Sequence, residues 1–243
     1  MHDIPLSLPP LSLYVHIPWC IRKCPYCDFN SHTSDGHLPE DQYVQALIRE
    51  LEIELPYAQG RNLSSIFFGG GTPSLFSAES IGRVVQAARR RFGFNDTIEI
   101  TLEANPGTFE QTKFNGFRDV GVNRLSIGIQ SFNDRHLTRL GRIHSAENAH
   151  AAVAMAQSAG FDNINLDLMH GLPTQTEAEA GIIGSLAIIW VLVPGRTARL
   201  HCPMSSALPA RQKHATRGII WPGEIHLLPA VKTFPKMNWH WNS

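Results

Sequence analysis

Residues 11–30 read LSLYVHIPWCIRKCPYCDFN and contain the pattern that decides the fold. The segment at 11–17 is rich in apolar and aromatic residues and follows two prolines, which predicts a strand. Three cysteines follow it closely, Cys20, Cys24 and Cys27, in a C-x3-C-x2-C spacing. Loops held by a rigid scaffold commonly carry binding residues. The segment therefore predicts a site on the loop after the first strand of a sheet.

The three clustered thiols can converge on one soft metal centre. The chain has only 4 cysteines in 243 residues, too few for a disulfide framework, and a disulfide within the cluster would leave one thiol over. A zinc ion would need a fourth protein ligand, for which His16 and His32 are candidates. A [4Fe-4S] cluster held by three cysteines would keep one iron open for a ligand. The spacing favours iron–sulfur over zinc and leaves both open.

Strands and helices alternate over the first 180 residues. Helical patterns run over 40–55, after Ser77 and from Ser145 to Gly160, whereas strand patterns fall at 64–71, 97–105, 124–132 and 163–173. This alternation predicts an α/β fold, a partial TIM-like (β/α) barrel with about five βα units and a parallel sheet. In such folds the functional residues lie at the carboxyl ends of the strands.

The net charge of zero conceals two unlike segments. Residues 1–180 carry 14 Lys/Arg and 20 Asp/Glu, whereas residues 181–243 carry 7 Lys/Arg and 1 Asp/Glu. We therefore divide the chain into an N-terminal lead (1–10), a patterned core (11–180) and an atypical basic tail (181–243). There is no apolar run of membrane-spanning length and no basic-then-apolar leader, so we expect a cytoplasmic protein without an integral membrane segment. Neutral charge argues against a nucleic-acid partner.

Six motifs, taken in order, resemble the radical S-adenosylmethionine (SAM) superfamily, and within it the oxygen-independent coproporphyrinogen III oxidase-like branch. They are HIPWC with its cysteine loop, GGGTP, EANPGT, NRLSIGIQSF, LGRIH and NINLDLMHGLPTQT, spread from about Leu11 to Glu179. Phe29 stands where the oxidase has a further cysteine, and only about ten residues precede the first strand. Both features favour the HemW-like heme chaperones. The alternatives are the oxidase, which decarboxylates coproporphyrinogen oxidatively to protoporphyrinogen IX, and an inactive fragment or structural zinc protein.

The resemblance also implies roles for individual residues. Cys20, Cys24 and Cys27 would hold a [4Fe-4S] cluster whose open iron binds SAM. Nine further residues would contact SAM: Tyr14, Tyr26, Gly70, Gly71, Thr72, Glu103, Gln130, Arg142 and Asp167. No catalytic residue is assigned. The implied partners are a heme or porphyrin ligand, a heme-acceptor protein and a flavodoxin- or ferredoxin-like electron donor.

The family pattern stops near Ala180. The sequence after it lacks the expected amphipathic helix, a sixth strand and an HN-x-x-YW-like heme-associated segment, and nothing in it patterns as a strand and helix pair. A truncated or displaced reading frame is the favoured interpretation, ahead of a divergent folded domain and of a basic, tryptophan-bearing interaction tail. A barrel without its last strand would expose an unpaired edge. We therefore expect weak stability, and a site that assembles a cluster but holds SAM and heme loosely.

Overall fold

The computed structural model describes residues 8–107 and 111–181 and the backbone of residues 196–201. Its strands are β1 (Leu11–Ile17), β2 (Trp19–Cys20), β3 (His32–Thr33), β4 (Leu63–Gly70), β5 (Phe94–Ala104), β6 (Arg124–Gln130), β7 (Asn163–Met169) and β8 (Arg196–His201). Six of them form one parallel sheet in the order β1-β4-β5-β6-β7-β8, and β2 pairs with β3. The α/β prediction is confirmed, including the parallel sheet.

Helices connect the strands as expected of βα units. They are α1 (Glu40–Ala58), α2 (Ala78–Phe92), α3 (Gln111–Asp119), α4 (Asp134–Arg139) and α5 (Ala146–Ser158), with a 3₁₀ turn at Pro73–Leu75. Ser77 caps α2 by accepting a hydrogen bond from the Ser80 amide, and Ser145 forms a reciprocal capping box with Asn148 at the start of α5. Within the described ranges, no helix is long and apolar enough to cross a membrane.

The two faces of the sheet differ in chemistry because alternate strand residues point to opposite sides. One face is apolar and buried in a core shared with the helices; it includes Val15, Ile66, Phe68, Leu102, Ile127 and Leu166. The opposite face carries polar and small residues, among them Tyr14, Thr101, Glu103, Ser126, Gly128 and Asp167. The helices thus stabilise one side of the sheet, and the other side is left for a ligand.

The structure adds elements that the sequence pattern did not predict. The helices α3 and α4 and the β2–β3 pair are new, and β8 lies in the tail, where no strand was expected. The strand β8 pairs with β7 along its whole length, from Ile164 opposite Arg196 to Met169 opposite His201. The strand β7 is therefore not the last strand of the sheet; among the described strands β8 is, and the expectation of an exposed edge stays a prediction. The other expectations for residues 182–195 and 202–243 lie outside the described residues.

Candidate functional site

The cysteine loop, residues 18–34, is closed at its base by β2 and β3. The His32 amide donates to the Pro18 carbonyl at 2.7 Å, and the Ser34 amide donates to the Cys20 carbonyl at 2.8 Å. Lys23 Nζ donates to the carbonyls of Phe29 and Ser31 at 3.1 and 3.0 Å. These bonds fix the two ends of the loop, so the cysteines between them are held on a short, braced turn.

The three thiols of the loop are free and partly buried. The Cys27 amide donates to the Cys24 carbonyl at 3.0 Å, which folds the two cysteines into one turn. Burial raises the pKa of the Cys20 thiol, and hydrogen bonds from Thr72 and Ser31 oppose that rise. The neighbouring sulfurs of Cys27 and Cys24 raise this pKa further.

The glycine-rich end of β4 packs directly under this loop. The Gly71 amide donates to the Ile17 carbonyl at 2.8 Å, and the Thr72 amide donates to the Trp19 carbonyl at 2.7 Å. A Cβ on Gly71 would lie 2.5 Å from the Trp19 carbonyl oxygen. Gly70 has φ +116°, and a Cβ there would lie 2.6 Å from the His16 ring. Only glycine permits this approach of the two backbones.

His16 braces the loop from β1 and does not point a free nitrogen toward the thiols. Its Nε2 lies 2.8 Å from the Asn30 carbonyl and its Nδ1 lies 3.1 Å from the Tyr14 hydroxyl. Both contacts fit a neutral ring that donates through Nε2 and accepts from Tyr14 through Nδ1. Tyr43 donates to the His16 carbonyl at 2.7 Å. In this arrangement His16 is not available as a fourth zinc ligand.

Arg142 reaches the cysteine loop from the turn between α4 and α5. Its Nη1 donates to Cys24 Sγ at 3.5 Å, and its Nη2 donates to Asn105 Oδ1 at 2.6 Å and to the Gly128 carbonyl at 2.8 Å. Burial raises the pKa of the Tyr26 hydroxyl above its ordinary range, against the opposing charge of Arg142. Arg142, Tyr26 and Cys24 are therefore neighbours.

Gln130 ends β6 in a strained conformation. Its φ is +60°, a backbone angle that residues other than glycine adopt rarely, so the surrounding structure must enforce it. Its Oε1 is buried and has no hydrogen-bond partner among the residues described, and the same holds for Nε of Arg142. Buried polar atoms are normally hydrogen-bonded. An unpaired acceptor and an unpaired donor near the end of β6 are what a polar ligand would satisfy.

The remaining predicted residues lie along the polar face of the sheet. The Gly70 amide donates to Glu103 Oε2 at 3.3 Å. Partial burial raises the pKa of Tyr14 to about 12, and the charge of Glu103 adds to the rise. Asp167 accepts from Ser126 at 3.2 Å and from Asn165 at 2.9 Å, so its carboxylate is paired within the sheet.

A pocket of about 30 Å³ lies between the cysteine loop, the end of β5 and the Arg142 turn. It is lined by Ile21, Arg22, Cys24, Thr72, Asn105, Pro106, Gly141, Arg142, Ile143 and His144. The sequence interpretation assigned only Cys24, Thr72 and Arg142 of these, and two of the polar residues that it missed are Asn105 and His144. Asn105 bonds to both Thr72 and Arg142, and His144 is buried, with Nε2 at 3.1 Å from the Ile129 carbonyl. Their only sequence signal is membership of the EANPGT and LGRIH motifs.

Comparison with known proteins decides the family. The sequence profile of the radical SAM superfamily matches residues 14–186. The chain belongs to the radical SAM superfamily. Its curated relatives include the heme chaperones HemW of Haemophilus influenzae, 56% identical over 178 residues, and of Escherichia coli strain K12, 52% identical over 175 residues. Each alignment covers 72% of this chain and 46% of the relative, so the chain spans about half the length of these proteins.

Among solved structures, the radical SAM enzyme coproporphyrinogen III oxidase (HemN) from Escherichia coli has a similar fold. The TM-score is 0.69 at 34% identity, and the match covers 80% of this chain and 44% of that one. This likeness agrees with the predicted partial (β/α) barrel. The identity with the HemW proteins is higher, which agrees with the branch that the CDFN sequence favoured.

Radical SAM proteins use a [4Fe-4S] cluster and SAM, and the described residues fit both. Three free thiols on one braced loop are soft ligands of the kind that iron–sulfur clusters require. Among the described residues, no three side chains of Cys, His, Asp or Glu are placed to hold a metal ion. A cubane cluster is larger than one ion, so its thiolates must stand further apart than the ligands of zinc. The unpaired atoms of Gln130 and Arg142 fit a polar ligand beside the loop.

Proposed function

We propose that residues 11–180 are the cofactor-binding core of a HemW-type heme chaperone, which binds a [4Fe-4S] cluster, SAM and heme and delivers heme to an acceptor protein. The observation that carries the proposal is the loop of three free thiols, braced by glycine-bearing strand ends beside buried polar atoms without partners. The HemW relatives in two bacteria support the choice of branch. A cytoplasmic location agrees with thiols that must stay reduced.

Cys20, Cys24 and Cys27 would bind three irons as thiolates and leave one iron open. The cluster, when bound, supplies one-electron chemistry toward SAM. The contacts around the loop hold its shape: His16 ties Asn30 to β1, and Lys23 donates hydrogen bonds to the carbonyls of Phe29 and Ser31. A flavodoxin- or ferredoxin-like donor would supply the electron at this exposed end of the sheet.

SAM would lie over the strand ends that face the loop. Gly70 and Gly71 would contribute backbone groups to SAM, and the lack of a Cβ at each lets the His16 ring and the Trp19 carbonyl pack against this strand end. Arg142 has committed both terminal nitrogens, so its Nε–H is the donor best placed for a ligand oxygen. Gln130 Oε1 would accept from a ligand N–H group.

The other assigned residues would complete the SAM site from the polar face of the sheet. Thr72 and Glu103 lie beside the glycine turn, and Tyr26 lies beside Arg142. Tyr14 and Asp167 would line the ligand from β1 and β7, where Asp167 is already paired and would contribute through its remaining lone pairs.

Anaerobic reconstitution of the full chain with iron and sulfide tests the proposal. We expect about four irons per chain, a reduced-cluster paramagnetic resonance signal that changes on adding SAM, and a heme-binding band. Cys20→Ser, Cys24→Ser and Cys27→Ser should each abolish the cluster, whereas Cys202→Ser, the fourth cysteine of the chain, is the matched control and should retain it. Stoichiometric zinc with no iron would overturn the proposal.

The oxidase is a second candidate because the solved structure of HemN is 34% identical to this chain. Product analysis with coproporphyrinogen, SAM and a reductant separates the two functions. The chaperone proposal expects heme binding and transfer to an apo-acceptor without decarboxylation. Formation of protoporphyrinogen IX would instead support the oxidase.

We also propose that residues 181–243 differ in origin from the core, by a displaced reading frame. The abrupt change from 20 acidic residues among the first 180 to one among the last 63 supports this. Sequencing the gene around codon 180 and translating the other frames tests it. We expect another frame to continue the family pattern with an HN-x-x-YW-like segment. The absence of such a frame would refute the idea.

A further inference from the structure

Asn105 lies at the centre of a hydrogen-bond network that the assigned roles do not explain. It follows the last residue of β5, its Nδ2 donates to Thr72 Oγ1 at 2.9 Å, and its Oδ1 accepts from Arg142 Nη2 at 2.6 Å. Arg142 Nη1 in turn donates to Cys24 Sγ at 3.5 Å. The amide of Thr72 bonds to the Trp19 carbonyl, next to Cys20. The Asn105 side chain therefore links the ends of β4 and β5, through Thr72 and Arg142, to both sides of the cysteine loop.

The surroundings of Asn105 are shaped to hold it in this position. A Cβ on Gly128 of the neighbouring strand would lie 2.6 Å from Asn105 Oδ1, so a glycine there leaves the space that the amide needs. The turn that carries Arg142 begins at Gly141, where a Cβ would lie 2.9 Å from the Pro25 ring in the cysteine loop. Arg142 is thus confined between Asn105, the Gly128 carbonyl and Cys24.

We propose that Asn105 is a positioning residue that fixes the Arg142 guanidinium against Cys24 Sγ and thereby raises the reduction potential of the cluster bound by the cysteine loop. The inference rests on the proposed function, because it concerns the cluster assigned to these cysteines. Arg142 is the contact to sulfur, and Asn105 acts through it.

The physical reason is the charge that reduction adds. An electron entering an iron–sulfur cluster increases the negative charge on its sulfurs, so hydrogen bonds and positive charge beside a sulfur favour the reduced form. The guanidinium keeps its positive charge at every accessible pH, and its planar donors suit a fixed position. Its effect depends on distance and direction, and Asn105 and the Gly128 carbonyl set both.

Potentiometric titration of the reconstituted full chain, monitored by paramagnetic resonance and without SAM, tests this. Asn105→Leu keeps the volume and removes both hydrogen bonds. We expect the ratio of reduced to oxidised cluster at a fixed applied potential to fall about tenfold, which is about 59 mV for a one-electron couple. Arg142→Met should lower the ratio at least as far. In the double variant this ratio should fall no further than in Arg142→Met alone, because Asn105 acts through Arg142.

Asn95→Leu is the matched control, since it makes the same substitution near the other end of β5, where Asn95 bonds to Ser64. It should leave the potential unchanged. If Asn105→Leu fails to fold or to take up the cluster, the same titration is made on Asn105→Ser and Gly128→Ala. Gly128→Ala displaces the Asn105 amide without removing it, and each variant should lower the ratio of reduced to oxidised cluster.

The outcomes separate the two proposals. A wild-type chain that takes up no cluster overturns the proposed function. The role of Asn105, but not the proposed function, is overturned if the Asn105 variants have the same cluster potential as the wild type. It is also overturned if the effects of Asn105→Leu and Arg142→Met are additive.

Discussion

Replacing Gly71 with alanine should break the contact between β4 and the cysteine loop. The added Cβ would lie 2.5 Å from the Trp19 carbonyl oxygen, 2.8 Å from the Trp19 carbonyl carbon and 2.9 Å from the Pro18 carbonyl carbon. All three are backbone atoms, which cannot rotate away as the end of a side chain can. The clash must therefore be relieved by moving the base of the loop away from the sheet.

The size of the effect follows from these distances. An ordinary carbon contact begins at 3.4 Å, so the loop must retreat by roughly 0.9 Å. Two backbone hydrogen bonds cross this contact, Gly71 to Ile17 at 2.8 Å and Thr72 to Trp19 at 2.7 Å, and both would be stretched. Overpacking costs about 1–3 kcal/mol, and each weakened bond adds roughly 1 kcal/mol. We expect Gly71→Ala to lower the free energy of unfolding by about 3–5 kcal/mol, from the overpacking and the two weakened bonds, and to reduce iron incorporation.

Urea unfolding and iron content of the reconstituted chain measure the two effects. Gly181→Ala is the control, because no atom of the described residues lies within 4 Å of a Cβ at that position. Its free energy of unfolding should stay equal or rise slightly. A Gly71→Ala protein with wild-type stability and full iron content would refute the inference that backbone contact at Gly71 positions the cysteine loop.

Two further predictions concern stability. Burial, and then the charge of Arg142, lowers the pKa of His144 to about 4. The stability that comes from the neutral ring is therefore complete above about pH 6.5 and is lost as the pH falls toward 4. Urea midpoints measured across this range should decline less steeply in His144→Gln, and equal slopes would contradict the assignment. Ser145→Ala removes the capping box of α5 and should lower the free energy of unfolding by about 1 kcal/mol, with Ser158→Ala at the other end of the helix changing it little.

The main strands and the longer helices were predictable because their patterns are local. Alternation along β6 and the serine caps of α2 and α5 mark those elements within a few residues of the observed bounds. The helix α3 was missed because QTKFNGFRD carries only two large apolar residues, Phe114 and Phe117. The strand β8 was missed because a parallel edge strand forms through backbone pairing, which leaves little trace in RTARLH.

The candidate site divides in the same way. Cysteine spacing and glycine runs are visible in the sequence, whereas the hydrogen-bond partners of Arg142 are not. Its partners Gly128 and Asn105 lie 14 and 37 residues away, and Cys24 lies 118 residues away. The interpretation treated Arg142 as a donor to ligand, but two of its three nitrogens are bonded within the protein. Only the register of β5 with β6 brings Asn105 near it.

Within the part of the chain that the structure describes, the contacts that hold the cysteine loop come from the first 142 residues. They arise from β1 through His16, from the end of β4 through Gly71 and Thr72, and from the Arg142 turn. Among the described residues of the tail, Arg196–His201 pair with β7, and β6, β5 and β4 separate that pair from β1 and the loop that follows it. Cluster assembly should therefore depend little on residues 181–243. The SAM residues proposed above include Gln130 on β6 and Asp167 on β7, next to β8, so SAM affinity is where an altered tail would act.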